Sequence, residues 1–299
     1  MYAKIRNTKV KPKMLALILA ITIGSMILNS SPVEASTTII VNKTIVLTSS
    51  FNGGGNTYKH GPYLGDYPLF RLVGTGDTLS NVIIDDNNFV GRSPAVIVSG
   101  TSNSIKYCTL NNCVRYGFTA ASATDFYIGY NTVNKAQYGI SGASGGGNSY
   151  WASGVIENNK ISHTILCGIK VKAFKNVIIR DNYIDVTPYF KHNVQGIHFS
   201  ADAPSINVIV ENNNIVRANS GLYPSLGSIG LSTDDGPTIA DPTIRSTGNI
   251  FTNNKVTDCY WGAILQGDNM KVSYNTIDTL RYRILNYGVN NIVSPNTYV

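Results

Sequence analysis

The stretch Asn176-Val177-Ile178-Ile179-Arg180-Asp181-Asn182-Tyr183-Ile184 decides the fold. A short β-branched run ends in Asp-Asn, and an apolar residue follows two positions after the second of these. Valine and isoleucine suit a half-buried strand, and Asp-Asn suits a sharp bend. The phrase apolar-x-x-Asn-x-apolar returns at Asn87, Asn131, Asn159, Asn182, Asn213, Asn254, Asn275 and Asn296, and Cys108 takes the slot once. The steps are 21, 23, 28, 23, 31, 41, 21 and 21 residues. A unit this short cannot bury its own apolar side, so it must stack on its neighbours.

Each repeat holds a second strand, which opens on a glycine. Examples are Tyr116-Gly117-Phe118, Tyr138-Gly139-Ile140, Cys167-Gly168-Ile169, Gln195-Gly196-Ile197 and Trp261-Gly262-Ala263. No window beyond the N-terminal segment sustains a helical period. Alternating strands on a regular rung of 21 to 23 residues predict an all-β chain, a parallel β-helix of nine to ten coils. In that geometry the asparagine is expected to adopt the left-handed backbone at the bend. Its amide should donate to the one above and accept from the one below, which satisfies a polar group that would otherwise be costly to bury. The aromatic residues before the glycines, Tyr116, Tyr138 and Trp261, read as packing at a corner.

These rungs resemble the right-handed parallel β-helix repeat family, the pectate-lyase-like superfamily, over residues 81–299. Residues 36–80 then serve as an N-terminal cap and the first coils. The resemblance implies the fold and leaves the reaction open, because the superfamily includes pectate lyases, polygalacturonases, alginate epimerases, phage tailspikes and proteins without known activity. The polygalacturonase pattern of Asn-Thr-Asp, Asp-Asp, Gly-His-Gly and Arg-Ile-Lys is not met. Asp234-Asp235 echoes one element, but no Gly-His-Gly follows, and Gly168-Ile169-Lys170 comes before it instead of after. The Asp-Pro-His-Glu motif of alginate epimerases is missing as well.

Residues 1–35 read as a signal peptide. Lys4, Arg6, Lys9, Lys11 and Lys13 precede an apolar run from Met14 to Leu28, and Val33-Glu34-Ala35 offers a cleavage site before Ser36. The competing reading is a retained anchor, but the run is short of the about 20 apolar residues that a spanning helix needs. The protein is therefore expected to be secreted or at the cell surface, with no membrane attachment after cleavage. Removing the segment leaves 19 basic against 16 acidic residues, with no basic run of the kind that binds nucleic acid. Cys108, Cys113, Cys167 and Cys259 match no metal or redox spacing. Packed thiols are expected, with a Cys108–Cys113 bridge as the alternative that an oxidising compartment permits.

Chemistry is expected where outward-pointing residues of the glycine strands are ionisable. With Ile169, Ile197 and Ile229 inward, Lys170, His198 and Gly230 point out, followed by Lys172, Ser200 and Ser232 one step along. Asp202, Asp234 and Asp235 lie just past the strand ends. The long steps mark insertions around these rungs, which bring Tyr150, Trp151, Tyr189 and His192 to the rim as substrate-binding residues. Two mechanisms fit an acidic, uronate-containing polysaccharide. In β-elimination Lys170 or Lys172 neutralises the carboxylate while His198 or a lysine takes the α-proton. In hydrolysis two of Asp202, Asp234 and Asp235 act as acid and base. Those aspartates could also hold a calcium ion, although no spacing specifies one. The alternative function is a non-catalytic surface or adhesion protein that uses the same wall to bind glycan or a partner protein. Asn296 opens a rung only three residues before the last residue, so an end-to-end homo-oligomer through an uncapped final coil is expected, or else a cap folded back from Asn52 to Pro68.

Overall fold

One coil illustrates the whole. The strand Phe174–Arg180 bends at Asp181-Asn182 into the short strand Tyr183–Asp185, and the chain then returns along Val194–Phe199. Each of these pairs in parallel with its counterparts one coil before and one coil after. The structure, a computed structural model, describes residues 36–86, 93–113, 115–142, 151–188, 193–200, 203–218, 228–233 and 246–299. Within them there are strands and no helices. The strands that lead into the asparagine bend form a ten-stranded parallel sheet. The short strand after the bend and the glycine strand build the other two walls, and they merge in the last two coils, where Lys255–Leu265 and Thr276–Asn286 run through both. The chain is a parallel β-helix.

The core consists of stacked columns. Ile105, Ile128, Ile156, Ile179, Val210, Phe251 and Val272 follow one another in register on the ten-stranded sheet, and each is fully buried. Ile84, Leu110, Val133, Ile161, Ile184, Ile215, Val256 and Ile277 form the column on the short strands, again fully buried. Burying each such side chain contributes about 1.5–3 kcal/mol, which a solitary coil could not gain.

The asparagines are stacked as expected. The Nδ2 amides of Asn131, Asn159, Asn182, Asn213, Asn254 and Asn275 each donate to the Oδ1 of the next, at 2.9–3.0 Å. Each Oδ1 also accepts the backbone N–H of the preceding ladder residue, as in Asn182 to Asn213 at 3.1 Å. Each Nδ2 has a further backbone acceptor in the ten-stranded sheet, as from Asn213 to the Ile179 carbonyl at 2.9 Å. The ladder ends at Cys108, whose N–H donates to Asn131 Oδ1 at 2.9 Å and whose thiol lies 3.3 Å from the Lys106 carbonyl.

Three expectations are corrected. The left-handed backbone falls one residue earlier than predicted, on Tyr107, Tyr130, Asn158, Asp181, Asn212, Asn253 and Tyr274, with φ between 54° and 59°. The bend itself takes the positive φ, which leaves the next side chain aimed inward to join the ladder. Second, the slot one coil before Cys108 belongs to Val82, because Ile84 pairs with Leu110 and Thr109 N–H donates to the Val82 carbonyl. Asn87 lies outside the described residues. Third, the segment from Asn52 to Pro68 is no cap on the far end. Its strand Thr57–His60 pairs with Thr38–Val41 and Ile83–Asp85 in the first coils.

All four cysteines are buried thiols, and none is in a disulfide. Burial pushes the Cys108 thiol up to about 11 and those of Cys113 and Cys259 up to about 12, from an ordinary value near 9.0. A raised folded-state value contributes stability that is intact below the unfolded thiol's pKa and is lost as pH climbs towards the folded one. The urea midpoint should thus fall as pH rises from about 9 towards 11–12, and replacing Cys259 with Ala should flatten that fall. Separately, Asn213→Ala strands the Asn182 N–H and part of its amide in the interior. It should lower the unfolding free energy by about 2–4 kcal/mol in urea titrations, the cost of several unsatisfied buried groups.

Candidate functional site

The glycine strands form one flat wall, and a column of glycines sets its register. Gly117, Gly139, Gly168, Gly196, Gly230 and Gly262 occupy the inner corner where each strand starts. A Cβ on Gly196 would come within 2.5 Å of the Gly230 carbonyl oxygen and 2.6 Å of Ile215 Cγ2, so no other residue fits without displacement. One position on, Phe118, Ile140, Ile169, Ile197, Leu231 and Ala263 point into the core, each fully buried. The next column must therefore point out. It reads Ile97, Thr119, Ser141, Lys170, His198, Ser232, Ile264 and Leu285.

This register corrects one strand of the sequence reading. Ile229 pairs with Gln195, and Leu231 pairs with Ile197, so Ser232 and not Gly230 stands beside His198. The glycine column is the reason, since Gly230 must sit next to Gly196 at the corner. His198 Nδ1 and Ser232 Oγ are 2.9 Å apart, and Thr119 Oγ1 and Ser141 Oγ three coils earlier are likewise 2.9 Å apart. Lys172 and Ser200 follow just past the strand ends. The Ser200 N–H donates to the Val171 carbonyl at 2.9 Å, which sets Ser200 alongside Lys172.

The structure thus brings Lys170, Lys172, His198 and Ser200 together, as expected, and adds Ser232. All five are buried although they lie on the outer side of the solenoid: Lys170 and Lys172 are 8% exposed, His198 6%, Ser200 4% and Ser232 2%. Lysine is almost never buried to this degree without partners that hold it, so the wall accommodates two cationic groups and an imidazole in a setting of low dielectric.

The cations also meet aromatic rings. Lys170 Nζ lies 4.9 Å from the Tyr138 ring centroid, Tyr138 stacks on Tyr116 at 4.8 Å and 13°, and Arg115 covers Tyr116 at 5.4 Å. A cation thus caps each end of a two-ring stack, an arrangement favoured by the negative faces of the rings. Tyr116 and Tyr138 stand in register directly before the glycine corner, where they pack on each other. Their place directly before the glycines of successive rungs was the signal available in the sequence.

Of the other predicted residues, Trp151 lies beside this end of the wall. It is half-buried and leads into the strand Ala152–Glu157, where Ala152 pairs with Phe174 and its N–H donates to the Ala173 carbonyl at 3.0 Å, one residue past Lys172. Tyr150, Tyr189, His192, Asp202, Asp234 and Asp235 lie outside the described residues. The calcium expectation rested on those aspartates. Among the described residues, no three His, Cys, Asp or Glu side chains are grouped to hold a metal ion.

A family described as "Protein of unknown function (DUF1565)" matches residues 148–281, the part of the chain that contains the buried patch. No curated protein matches the sequence. Among solved structures, the chain is similar to the Streptococcus pneumoniae surface protein and adhesin PfbA, with a TM-score of 0.51 at 12% identity, covering 88% of each chain. It is also similar to an alginate lyase from Paenibacillus sp. str. FPU-7, with a TM-score of 0.39 at 12% identity over 91% of this chain and 95% of that one. For a DFA-IIIase from Arthrobacter chlorophenolicus A6 the TM-score is 0.42 at 10% identity, over 95% and 94%. At 12% identity the likeness to PfbA is one of fold alone.

The burial can be tested directly. Under limiting amine-reactive reagent, mass spectrometry should find Lys170 and Lys172 modified last, well after the exposed Lys255 and Lys271. Modification of all four at similar rates would contradict the closed patch.

Proposed function

We propose that this chain, which belongs with the right-handed parallel β-helix proteins, is an exported protein that binds and cleaves an acidic, uronate-containing polysaccharide on its outer wall. The observation that carries the reading is the burial of Lys170, Lys172 and His198 on the outside of the solenoid. The fold needs apolar residues only on the inside, and other rungs of the same column hold Thr119, Ser141, Ile264 and Leu285. Two buried cations are a costly way to cover a wall and a useful way to receive a carboxylate.

The residue types suit β-elimination. Lys170 or Lys172 pairs with the uronate carboxylate and stabilises the negative charge that develops when the α-proton leaves. If His198 Nδ1–H donates to Ser232 Oγ, Nε2 carries the lone pair and is the base for that proton. The electron pair released forms a carbon–carbon double bond, the C–O bond β to the carboxylate breaks, and the departing oxygen takes up a proton. Ser232 then acts as a positioning residue that selects the tautomer. The patch is shut off from solvent in the form described here, so the reaction also requires admission of the substrate. Hydrolysis would draw instead on Asp202, Asp234 and Asp235, and a calcium ion on the same residues. Lys170, Lys172 and His198 are the residue types that elimination uses, which supports that reading. Secretion or surface display follows from the leader-like residues 1–35.

The test is an incubation of the protein with polyuronates and neutral glycans, read by ultraviolet absorbance of unsaturated products and by new reducing ends. Unsaturated ends from a polyuronate are expected, with a loss of about 100-fold or more in turnover for His198→Ala and for Lys170→Ala. Ser232→Ala should instead move the pH profile and lower turnover less. Glycan binding with no cleavage of any polymer would leave the non-catalytic adhesion reading in its place.

A further inference from the structure

The last two rungs of the wall carry a second cluster, separate from the buried patch. Strands Lys255–Leu265 and Thr276–Asn286 pair in parallel, but the register shifts between Cys259–Thr279 and Trp261–Tyr282. The later strand carries one extra residue there, a bulge at Leu280-Arg281. Bulges bend a strand and re-aim its side chains, and they are common beside functional sites. This one lays the Arg281 guanidinium over two rings, 5.5 Å from the Tyr260 centroid and 5.0 Å from that of Tyr282. Arg281 Nη1 also donates to the Tyr260 hydroxyl at 2.6 Å, and Tyr260 meets Trp261 edge-on at 4.4 Å.

The cluster lies on the face of the wall that bears His198. Gln195, Ile229, Trp261 and Tyr282 follow one another in register on successive rungs. The solenoid's packing does not account for it, because Val256, Ala263, Leu265 and Ile277 supply the buried side of these strands. Arg281 is exposed, as is Tyr282 at 40%. A guanidinium has five N–H donors in a planar fork that fits a carboxylate or sulfate with two hydrogen bonds, and the ring contacts hold that fork in place. Tyrosine and tryptophan beside it offer faces on which a sugar ring can stack.

We propose that Tyr260, Trp261, Arg281 and Tyr282 form a binding subsite for an anionic sugar residue, two to three rungs from His198, or about 10–14 Å at the usual strand spacing. The inference rests on reading the wall as a surface for acidic glycan, and it extends that surface towards the last coil. A ligand reaching both sites is an oligosaccharide, so the subsite sets chain-length preference.

Calorimetric titration of the protein with uronate oligomers of graded length, sulfated oligosaccharides and neutral glycans tests this. Arg281→Ala, Arg281→Lys and His198→Ala are compared. Arg281→Ala should weaken binding of long charged oligomers by about tenfold, the value of one charge-assisted contact, and leave dimers unchanged. Arg281→Lys should not restore it, because an ammonium lacks the fork. Preference for the uronate or the sulfated series identifies the anion. If Arg281→Ala leaves the affinity for every charged oligomer unchanged, the subsite is overturned, even where His198→Ala abolishes cleavage and so upholds the buried patch. A tenfold loss in Arg281→Ala with cleavage indifferent to His198→Ala supports the subsite and removes the patch from the reaction. Binding of neutral glycans only, or of none, overturns the subsite. Sedimentation of the same variant supplies the last outcome. If Arg281→Ala dissociates a dimer while glycan affinity holds, the surface is an end-to-end contact between copies and the proposal falls.

Discussion

The amide stack at the asparagine bend governs the rest of the molecule, because it is the place where the solenoid must bury strong polar groups without water. Each Asn Oδ1 takes two donors from the rung before it, one from the side chain and one from the backbone. Each Nδ2 finds an acceptor in the neighbouring rung and another in the ten-stranded sheet. Both sets of bonds close only when adjacent coils stand in register, so a coil that slips by one residue would strand several buried groups at once. The apolar columns can tolerate exchanges of shape. The amides cannot, and they transmit one register to every strand downstream.

That rigidity gives the wall its chemistry. Strands held at a constant spacing place the outward residues of successive coils side by side, at distances set by the sheet. Lys170 and His198 are 28 residues apart in the chain and adjacent in the wall. The inward positions are committed to the core and to the glycine corner, which leaves the outward column as the part of each rung where composition is unconstrained by folding. Its ionisable members are buried while neighbouring rungs carry small or aliphatic residues. A rigid scaffold can bear that cost locally, as functional sites commonly require.

How much of this could be read beforehand differs from one column to the next. The repeat of asparagine and glycine fixed strands, turns and the inside of the barrel-like core, since each residue type answers a demand that recurs every coil. Lys170, Lys172, His198 and Ser200 were legible as neighbours for the same reason. The slip at Ser228–Thr233 arose because isoleucine and leucine both occur there, and hydrophobicity alone does not say which one faces in. The glycine corner does. The left-handed residue was misplaced by one position because tyrosine at Tyr107, Tyr130 and Tyr274 hides a backbone preference that Asn158 or Asp181 would announce.

The sequence by itself determined the solenoid, its rungs and the inward columns, because these follow from short-range periodicity and from the polar demands of a single bend. Only the tertiary structure decided which outward residues are buried, that Ser232 holds His198, and that Tyr116, Tyr138 and Lys170 form one stack. It alone showed the bulge that lays Arg281 across Tyr260 and Tyr282. The physical reason is that these contacts join residues on different coils, and their partners depend on the cumulative register of the stack, which no local pattern encodes.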